Sequence, residues 1–111
     1  MTANQYYRLL EPTNVIASWS QSRDEVFDAG AYNQVQAHCR VLKAGTAGTI
    51  RLQTAAVNEV DAWVDVTGLV WTLSGTGSLL TSVNFLRFLR VATDGAVAGG
   101  PVALIDLVLK Q

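Results

Sequence analysis

Residues 84–110 read NFLRFLRVATDGAVAGGPVALIDLVLK and carry the strongest structural signal in the sequence. Two apolar, β-rich runs, residues 85–92 and 102–109, flank a loop of Asp, Gly and Pro, which predicts a long β-hairpin or a pair of neighbouring strands. Both runs are apolar at most positions, so both faces of each strand should be covered. We therefore expect these two runs to be central strands of a packed β-structure.

The composition indicates a small globular domain with unusually little charge. The chain has 111 residues, of which 50% are hydrophobic and 15% are charged. Soluble domains usually have about 25% charged residues, and a domain poorer in charge exposes apolar surface or buries it against partners. This favours an oligomer or an assembly subunit. The net charge is −1 and the Lys and Arg residues are dispersed, so we expect no nucleic-acid partner.

The sequence also bears on where the protein is made. Cys39 is the single cysteine, so no disulfide can form within the chain. Residues 1–14 contain neither the apolar core nor the cleavage site of a signal peptide. No uninterrupted apolar stretch approaches the roughly 18 residues that a membrane span needs. We expect a protein that is made in the cytoplasm and does not bind a membrane.

The N-terminal residues 1–13 are too apolar to be a free tail, because they contain Tyr6, Tyr7, Leu9 and Leu10. Two interpretations stay open. The segment is either an edge strand that packs on the body of its own chain, or an arm that docks on a neighbouring subunit. In both cases residues 14–111 form the main β-sandwich domain.

Shorter strands are predicted upstream of residue 84 from the alternation of apolar and polar residues. A Gly-containing connection at residues 43–48 predicts a hairpin over residues 35–55, and helical spacing allows one helical turn at residues 79–83. With the two C-terminal runs the count is about seven or eight strands, which predicts an all-β, single-domain, antiparallel β-sandwich resembling a jelly roll. The upstream strands are expected at residues 14–20, 25–28, 33–42, 49–55, 62–67 and 70–73.

No residues form a convincing catalytic or cofactor site. His38 and Cys39 are the only candidate base and nucleophile, and adjacent residues of a strand point to opposite faces. The sequence contains no phosphate-binding Gly-rich motif and no spacing typical of transition-metal ligands. Asn58, Glu59 and Asp61 could offer oxygens to calcium, although a solvated polar loop is the simpler interpretation. We predict a protein that is not an enzyme and holds no cofactor.

Charged residues interrupt both C-terminal runs. Arg87 and Arg90 lie within the first and Asp106 lies within the second. Pairing of Asp106 with either arginine across neighbouring strands would satisfy both charges. Such a pair could lie within one chain or between subunits.

Large aromatic side chains have two interpretations. Trp19, Trp63 and Trp71 could form a platform on which sugar rings stack, or they could fill the core or an interface. The second interpretation is favoured, because large aromatic residues dominate cores and interfaces alike.

A resemblance to known proteins rests on two segments, LQTAAVNEVDAWVDVTG at residues 52–68 and NFLRFLRVAT at residues 84–93. Their W-x-D-V turn and returning aromatic-Leu-Arg strand resemble small jelly-roll proteins. Galactose-binding-like modules of the discoidin type share this pattern, as do short β-sandwich proteins that decorate or cement the capsids of tailed bacteriophages and related particles. The absence of a secretion signal and of disulfides favours the second group. This resemblance implies self-association, often as a trimer, and docking on major capsid or other particle proteins.

We therefore expect a non-enzymatic structural protein of a virion or virus-like particle, acting as an oligomeric capsid decoration or accessory subunit. The alternative is a carbohydrate-binding β-sandwich module that uses Trp63, Trp71 and residues 58–61. The contact residues expected for the structural subunit are Tyr6, Tyr7, Leu9, Leu10, Trp19, Trp71, Arg87 and Arg90.

Overall fold

The computed structural model describes residues 4–111, in which eight strands and one 3₁₀ turn, Arg23–Glu25, are formed. No helix in this range is long and apolar enough to cross a membrane. The strands are β1 (Asn4–Asn14), β2 (Phe27–Asp28), β3 (Gln34–Lys43), β4 (Thr49–Ala55), β5 (Val64–Thr72), β6 (Gly77–Ser82), β7 (Phe88–Thr93) and β8 (Val102–Lys110).

The strands form two antiparallel sheets that enclose one hydrophobic core. Sheet A has the order β1-β8-β3-β6 and sheet B has the order β2-β7-β4-β5. Within residues 4–111 every connection crosses from one sheet to the other, except that between β4 and β5. This is the strand order of a jelly roll, a sandwich built from two Greek keys. The predicted all-β antiparallel sandwich is confirmed.

The two C-terminal runs are central strands but not partners. β7 lies between β2 and β4, whereas β8 lies between β1 and β3. Both are covered on their inner faces, where Val91 and Ile105 are 0% exposed. The hairpin interpretation is wrong because residues 94–101 carry the chain from sheet B to sheet A. The first strand also starts later than expected, at Phe88.

Other hairpin and turn predictions fail for the same reason, since a Gly-rich connection does not reveal which sheet the next strand joins. β3 and β4 lie in different sheets, so residues 35–55 form no hairpin. Gly68, expected to end a strand, lies inside β5 with φ +87°, near a register shift in the β4–β5 pairing. Glycine within a strand marks a bulge as readily as a turn. Residues 79–82 belong to β6 and form no helical turn.

Residues 14–20 differ from the predicted strand. Ser18 has a positive φ of 53°, which interrupts extended backbone. Beyond it the segment runs beside β7, where the Thr93 N–H donates to the Trp19 carbonyl over 2.8 Å and Ser20 forms an isolated bridge with Ala92. The segment is therefore an irregular edge of sheet B.

The N-terminal strand β1 forms an edge of sheet A and pairs with β8 of the same chain. Leu9 and Leu10 are 5% and 4% exposed and belong to the core. Residues 1–3 of the predicted N-terminal segment lie outside the described residues. In this chain residues 4–14 thus pack as an edge strand.

Gln21 ties the two sheets together on the side where the chain passes from β1 to β2. Its side chain is buried, its Nε2 donates to the Leu9 carbonyl over 2.7 Å and its Oε1 accepts from the Val91 N–H over 2.8 Å. One amide thereby satisfies a carbonyl of sheet A and an N–H of sheet B. Losing either hydrogen bond would leave a buried backbone group unpaired, which is costly. Gln21 is therefore fixed between the two sheets, and the 3₁₀ turn that begins two residues later starts from a fixed point.

Candidate functional site

The candidate catalytic pair is split by sheet A. Cys39 is 0% exposed, and burial raises the pKa of its thiol to about 12, so the thiol stays protonated at neutral pH. His38 lies on the outer face, opposite Asp106 on one side and Leu79 on the other. The two side chains cannot form a nucleophile–base pair with each other.

The loop considered for calcium has a structural contact instead. Asn58 donates from Nδ2 to the carbonyl of Arg23 over 3.2 Å, which joins the β4–β5 loop to the 3₁₀ turn. Throughout residues 4–111, no three His, Cys, Asp or Glu side chains are grouped as a metal site would require.

Three of the residues expected to contact a partner lie in the core of their own chain. Leu9, Leu10 and Trp71 are each at most 5% exposed, and the Trp71 indole N–H donates to the Ser78 carbonyl over 2.9 Å. Their assignment as contact residues is corrected, because their apolar surface is already covered. For the same reason Trp71 cannot offer a ring face to a sugar.

Two aromatic residues of β1 keep exposed surface. Tyr6 is 59% exposed and Tyr7 is 39% exposed, although the Tyr7 ring packs against Phe27 with centroids 4.5 Å apart. Trp19 is half-buried and packs against the core. Of these three expected contacts, Tyr6 offers the most free surface.

The two predicted arginine partners of Asp106 bind other groups. Arg87 forms a salt bridge with Asp28 at 3.0 Å, and Arg90 donates from Nε to Gln53 over 2.9 Å. The predicted pairing is wrong because β7 and β8 lie in different sheets, so their outward side chains face opposite sides of the sandwich.

Asp106 instead organises the outer face of sheet A. Its Oδ1 accepts from Arg8 Nε over 2.7 Å and from the Tyr6 hydroxyl over 2.9 Å, and its Oδ2 lies 3.5 Å from Arg40 Nη2. The hydrogen bond from Arg8 holds the pKa of the Asp106 carboxyl below its usual value. The result is a polar cluster at the centre of this face, with exposed Leu79 at its side.

The outer face of sheet B carries a second polar network. Arg51 forms two salt bridges: its Nη1 lies 2.9 Å from Asp65 Oδ2 and its Nη2 lies 3.6 Å from Asp94 Oδ2. Gln53 donates to Asp65 over 3.1 Å and accepts from Arg90 over 2.9 Å. These links satisfy most of the charge on this face and fix the position of Arg90.

An apolar groove lies at the end of the sandwich where β6 and β8 finish. We define it by Val64, Val83 and Leu86, which are 56%, 62% and 48% exposed and line a groove of about 390 Å³. The remaining lining residues are Phe85 and the polar Thr54, Asp65, Thr67 and Asn84. The β4–β5 loop, which leads into Val64, also exposes Val57 and Val60; Val60 is 92% exposed and borders the neighbouring cleft described next. Exposed branched residues therefore concentrate in the loops at one end.

A separate cleft of about 340 Å³ opens between the 3₁₀ turn and the β4–β5 loop. Its lining includes Arg23, Asn58, Val60, Trp63 and Arg90, and the Asn58 side chain is hydrogen-bonded to the Arg23 carbonyl. The Arg90 guanidinium carbon is 4.5 Å from the centre of the Trp63 ring, a cation–π distance. Of the tryptophans considered for sugar stacking, Trp63 borders this cleft.

Neither surface follows from the sequence pattern alone. In the sequence each exposed apolar residue simply stands beside turn residues, as Val60, Val64, Val83 and Leu86 do. Strand ends whose side chains pack inward show the same pattern, so exposure cannot be predicted from it. The cleft joins residues 20–26 to residues 58–63 and 90, and no local pattern predicts that these segments meet.

Comparisons with known proteins find a solved structure with a similar fold. No protein-family model matches the chain, and no curated protein matches it. The crystal structure of YomS, a protein derived from the SPBc2 prophage, is similar with a TM-score of 0.65, covering 100% of this chain and 96% of YomS. Sequence identity is 8%, so the similarity shows a shared fold.

Proposed function

We propose that this chain is a non-enzymatic structural subunit that associates with copies of itself and with the capsid of a phage-like particle, as a decoration or accessory protein. In this proposal it is made in the cytoplasm and assembled into a virion or virus-like particle. The observation that carries the proposal is the apolar groove with its neighbouring loop, where Val60 is 92% exposed and Val83 is 62% exposed. Clustered apolar surface on a small domain is characteristic of a surface that a partner covers.

The fold similarity supports the particle context. YomS is a prophage-derived protein with the same architecture along nearly its whole length. A compact β-sandwich whose apolar side chains project from loops at one end suits closed symmetric assembly, because each copy offers the same surface around a common axis. A trimer of this kind would bury the groove and leave both outer sheet faces free.

The edges of the sheets offer a poorer contact. β1 contains Pro12 and two register shifts in its pairing with β8. Proline and bulges prevent an edge strand from pairing with a neighbouring chain. We therefore assign self-association to the groove rather than to strand addition at β1.

The test is size-exclusion chromatography with light scattering on the full chain and on Leu86→Asp. We expect a defined oligomer for the unmodified chain and a monomer for the variant, because a carboxylate at the centre of an apolar interface is costly to desolvate. Far-ultraviolet circular dichroism checks that the variant is folded.

The matched control is Ile16→Asp. Ile16 is 60% exposed and follows the end of β1, where Asn14 pairs with Val102, at the opposite end of sheet A from Ser82 and Lys110. The control should keep the oligomer. A monomer for the unmodified chain, or equal dissociation of the control, would overturn the role of the groove.

The particle itself provides a second test. Density-gradient-purified particles from cells that carry the gene should contain the chain in a fixed ratio to the major capsid protein, and Leu86→Asp should lower that ratio. Absence of the chain from such particles would contradict the proposed location.

A further inference from the structure

The arginines differ in whether a carboxylate compensates their charge. Among residues 4–111, Arg23 and Arg90 form no salt bridge, and both border the cleft between the 3₁₀ turn and the β4–β5 loop. Arginine side chains bind planar oxyanions such as carboxylates through two parallel hydrogen bonds. The arginines that do form salt bridges are Arg8, Arg40, Arg51 and Arg87.

Arg90 is the more constrained of the two. It is half-buried, its Nε donates to Gln53, and its guanidinium lies over the Trp63 ring at 4.5 Å. Desolvation lowers the pKa of Arg90, yet the side chain keeps its charge at neutral pH. A half-buried cation without a carboxylate is a site that an external anion would stabilise.

The walls of the cleft are held in place by the fold. Asn58 Nδ2 donates to the Arg23 carbonyl over 3.2 Å, and the Ser22 N–H donates to Glu25 Oε1 over 2.8 Å. Gln21, which lies at the base of the 3₁₀ turn, is fixed to both sheets. Arg90 itself is held by its hydrogen bond to Gln53 and its position over Trp63, so it does not have to be reoriented when a ligand enters, which reduces the entropic cost of binding.

We propose that this cleft binds a carboxylated sugar. Arg90, which covers one face of the Trp63 ring, and Arg23 would hold the carboxylate, and the part of Trp63 that Arg90 leaves uncovered would face the C–H groups of the sugar ring. Asn58 and Glu59 border the same cleft and supply hydrogen-bonding groups for hydroxyls. Its volume of about 340 Å³ is at the lower end of small-molecule sites, which suits one monosaccharide unit. This binding activity goes beyond the proposed structural role and does not depend on it.

The test uses glucuronic acid, titrated into the ¹⁵N-labelled full chain while the indole N–H resonance of Trp63 is followed, after assignment with Trp63→Phe. We expect a saturable shift. The methyl ester of the same sugar should bind at least about tenfold more weakly, because it cannot form charge-assisted hydrogen bonds. Acetate, which has the carboxylate without the ring, should also bind more weakly.

Paired substitutions locate the site. Arg90→Gln should weaken the binding of glucuronic acid by at least about tenfold. Arg87→Gln removes an arginine that is already paired with Asp28 and should leave the affinity for glucuronic acid unchanged. The backbone amide spectrum reports whether each variant is folded. If Arg90→Gln unfolds, Arg23→Gln and the ester comparison on the unmodified chain still decide the question.

Several outcomes would overturn the proposal. These are no saturable shift, equal binding of the ester, binding of acetate as tight as that of the sugar, or equal weakening by Arg87→Gln. The Leu86→Asp variant, expected to be a monomer, should still bind the sugar. Light scattering therefore tests self-association and the NMR titration tests sugar binding, and either proposal can fail without the other.

Discussion

Asp106 links three strands through one carboxylate. It lies on the central strand β8, accepts hydrogen bonds from Arg8 and Tyr6 on β1, and lies 3.5 Å from Arg40 on β3. Its side chain is 14% exposed, so the charge is largely removed from water and depends on these partners. Removing the charge would leave Arg40 without its carboxylate partner and Arg8 with only the 3.7 Å contact to Glu11.

We expect Asp106→Asn to lower the free energy of unfolding by about 1.5–3 kcal/mol at pH 7, the range for hydrogen bonds to charged groups. The pKa of Asp106 is lowered in the folded state by the Arg8 hydrogen bond. The stabilisation is therefore complete above the unfolded-state pKa of 3.8 and is lost as the pH falls through the folded-state pKa, because both states then bind the proton. Urea unfolding at a series of pH values measures this difference.

The control for this measurement is Asp61→Asn. Asp61 is exposed in the β4–β5 loop and forms no salt bridge within the described range 4–111. Its substitution should change stability by less than about 0.5 kcal/mol. A difference between Asp106→Asn and the unmodified chain that stays constant down to low pH would contradict the role assigned to the charge.

Strand β6 depends on close approach at its first residue. Gly77 pairs with Arg40 of β3 and has φ +89°, a left-handed conformation that other residues rarely adopt. A Cβ at this position would collide with the carbonyl of Cys39. The turn after β5 can therefore deliver β6 to the edge of sheet A only with glycine here.

We expect Gly77→Ala to lower the free energy of unfolding by about 2 kcal/mol or more, since it combines backbone strain with a steric clash. Gly75 lies in the same turn without a positive φ, and its Cβ would come within 3.3 Å of the Thr72 hydroxyl. Gly75→Ala should cost less than about 0.5 kcal/mol. Thermal or urea unfolding of both variants checks the contrast, which similar losses in the two would contradict.

The molecule as a whole has unlike ends. The end with the β4–β5 and β6–β7 loops carries the apolar groove, whereas both outer faces are dominated by ion pairs and hydrogen bonds around Asp106 and Arg51. The β4–β5 loop at that end also carries the exposed Glu59 and Asp61, and Asp65 borders the groove. The groove itself exposes Val64, Val83 and Leu86, and these side chains are the part of that end that costs least to desolvate.

If the oligomer forms through that end, folding and association are linked by mass action. The melting temperature of the unmodified chain should rise by several degrees as its concentration increases, while that of Leu86→Asp should not change. Differential scanning fluorimetry over a wide concentration range measures this. A melting temperature independent of concentration in both would contradict an obligate assembly.

Part of the fold was predictable because apolar and polar residues alternate along individual strands. Val35, Ala37 and Cys39 alternate with polar residues and form the buried side of β3. The nearly continuous apolar run of residues 102–109 is a central strand, with a fully buried inner face and an outer face that carries Leu104 and the half-buried Asp106 and Val108. The groove and the cleft were not predictable, since the valines and arginines that form them come from distant segments.

Local pattern is enough to predict the strand class, the central position of the two C-terminal runs and the burial of Cys39 away from His38, because side-chain alternation and apolar content are local properties. The sheet that each strand joins, the pairing of Asp106 with Arg8 and not with Arg87 or Arg90, and the burial of Trp71 follow from the three-dimensional arrangement of the strands. These outcomes depend on crossovers such as that of residues 94–101, and a turn sequence specifies that the chain reverses without specifying the sheet to which it returns.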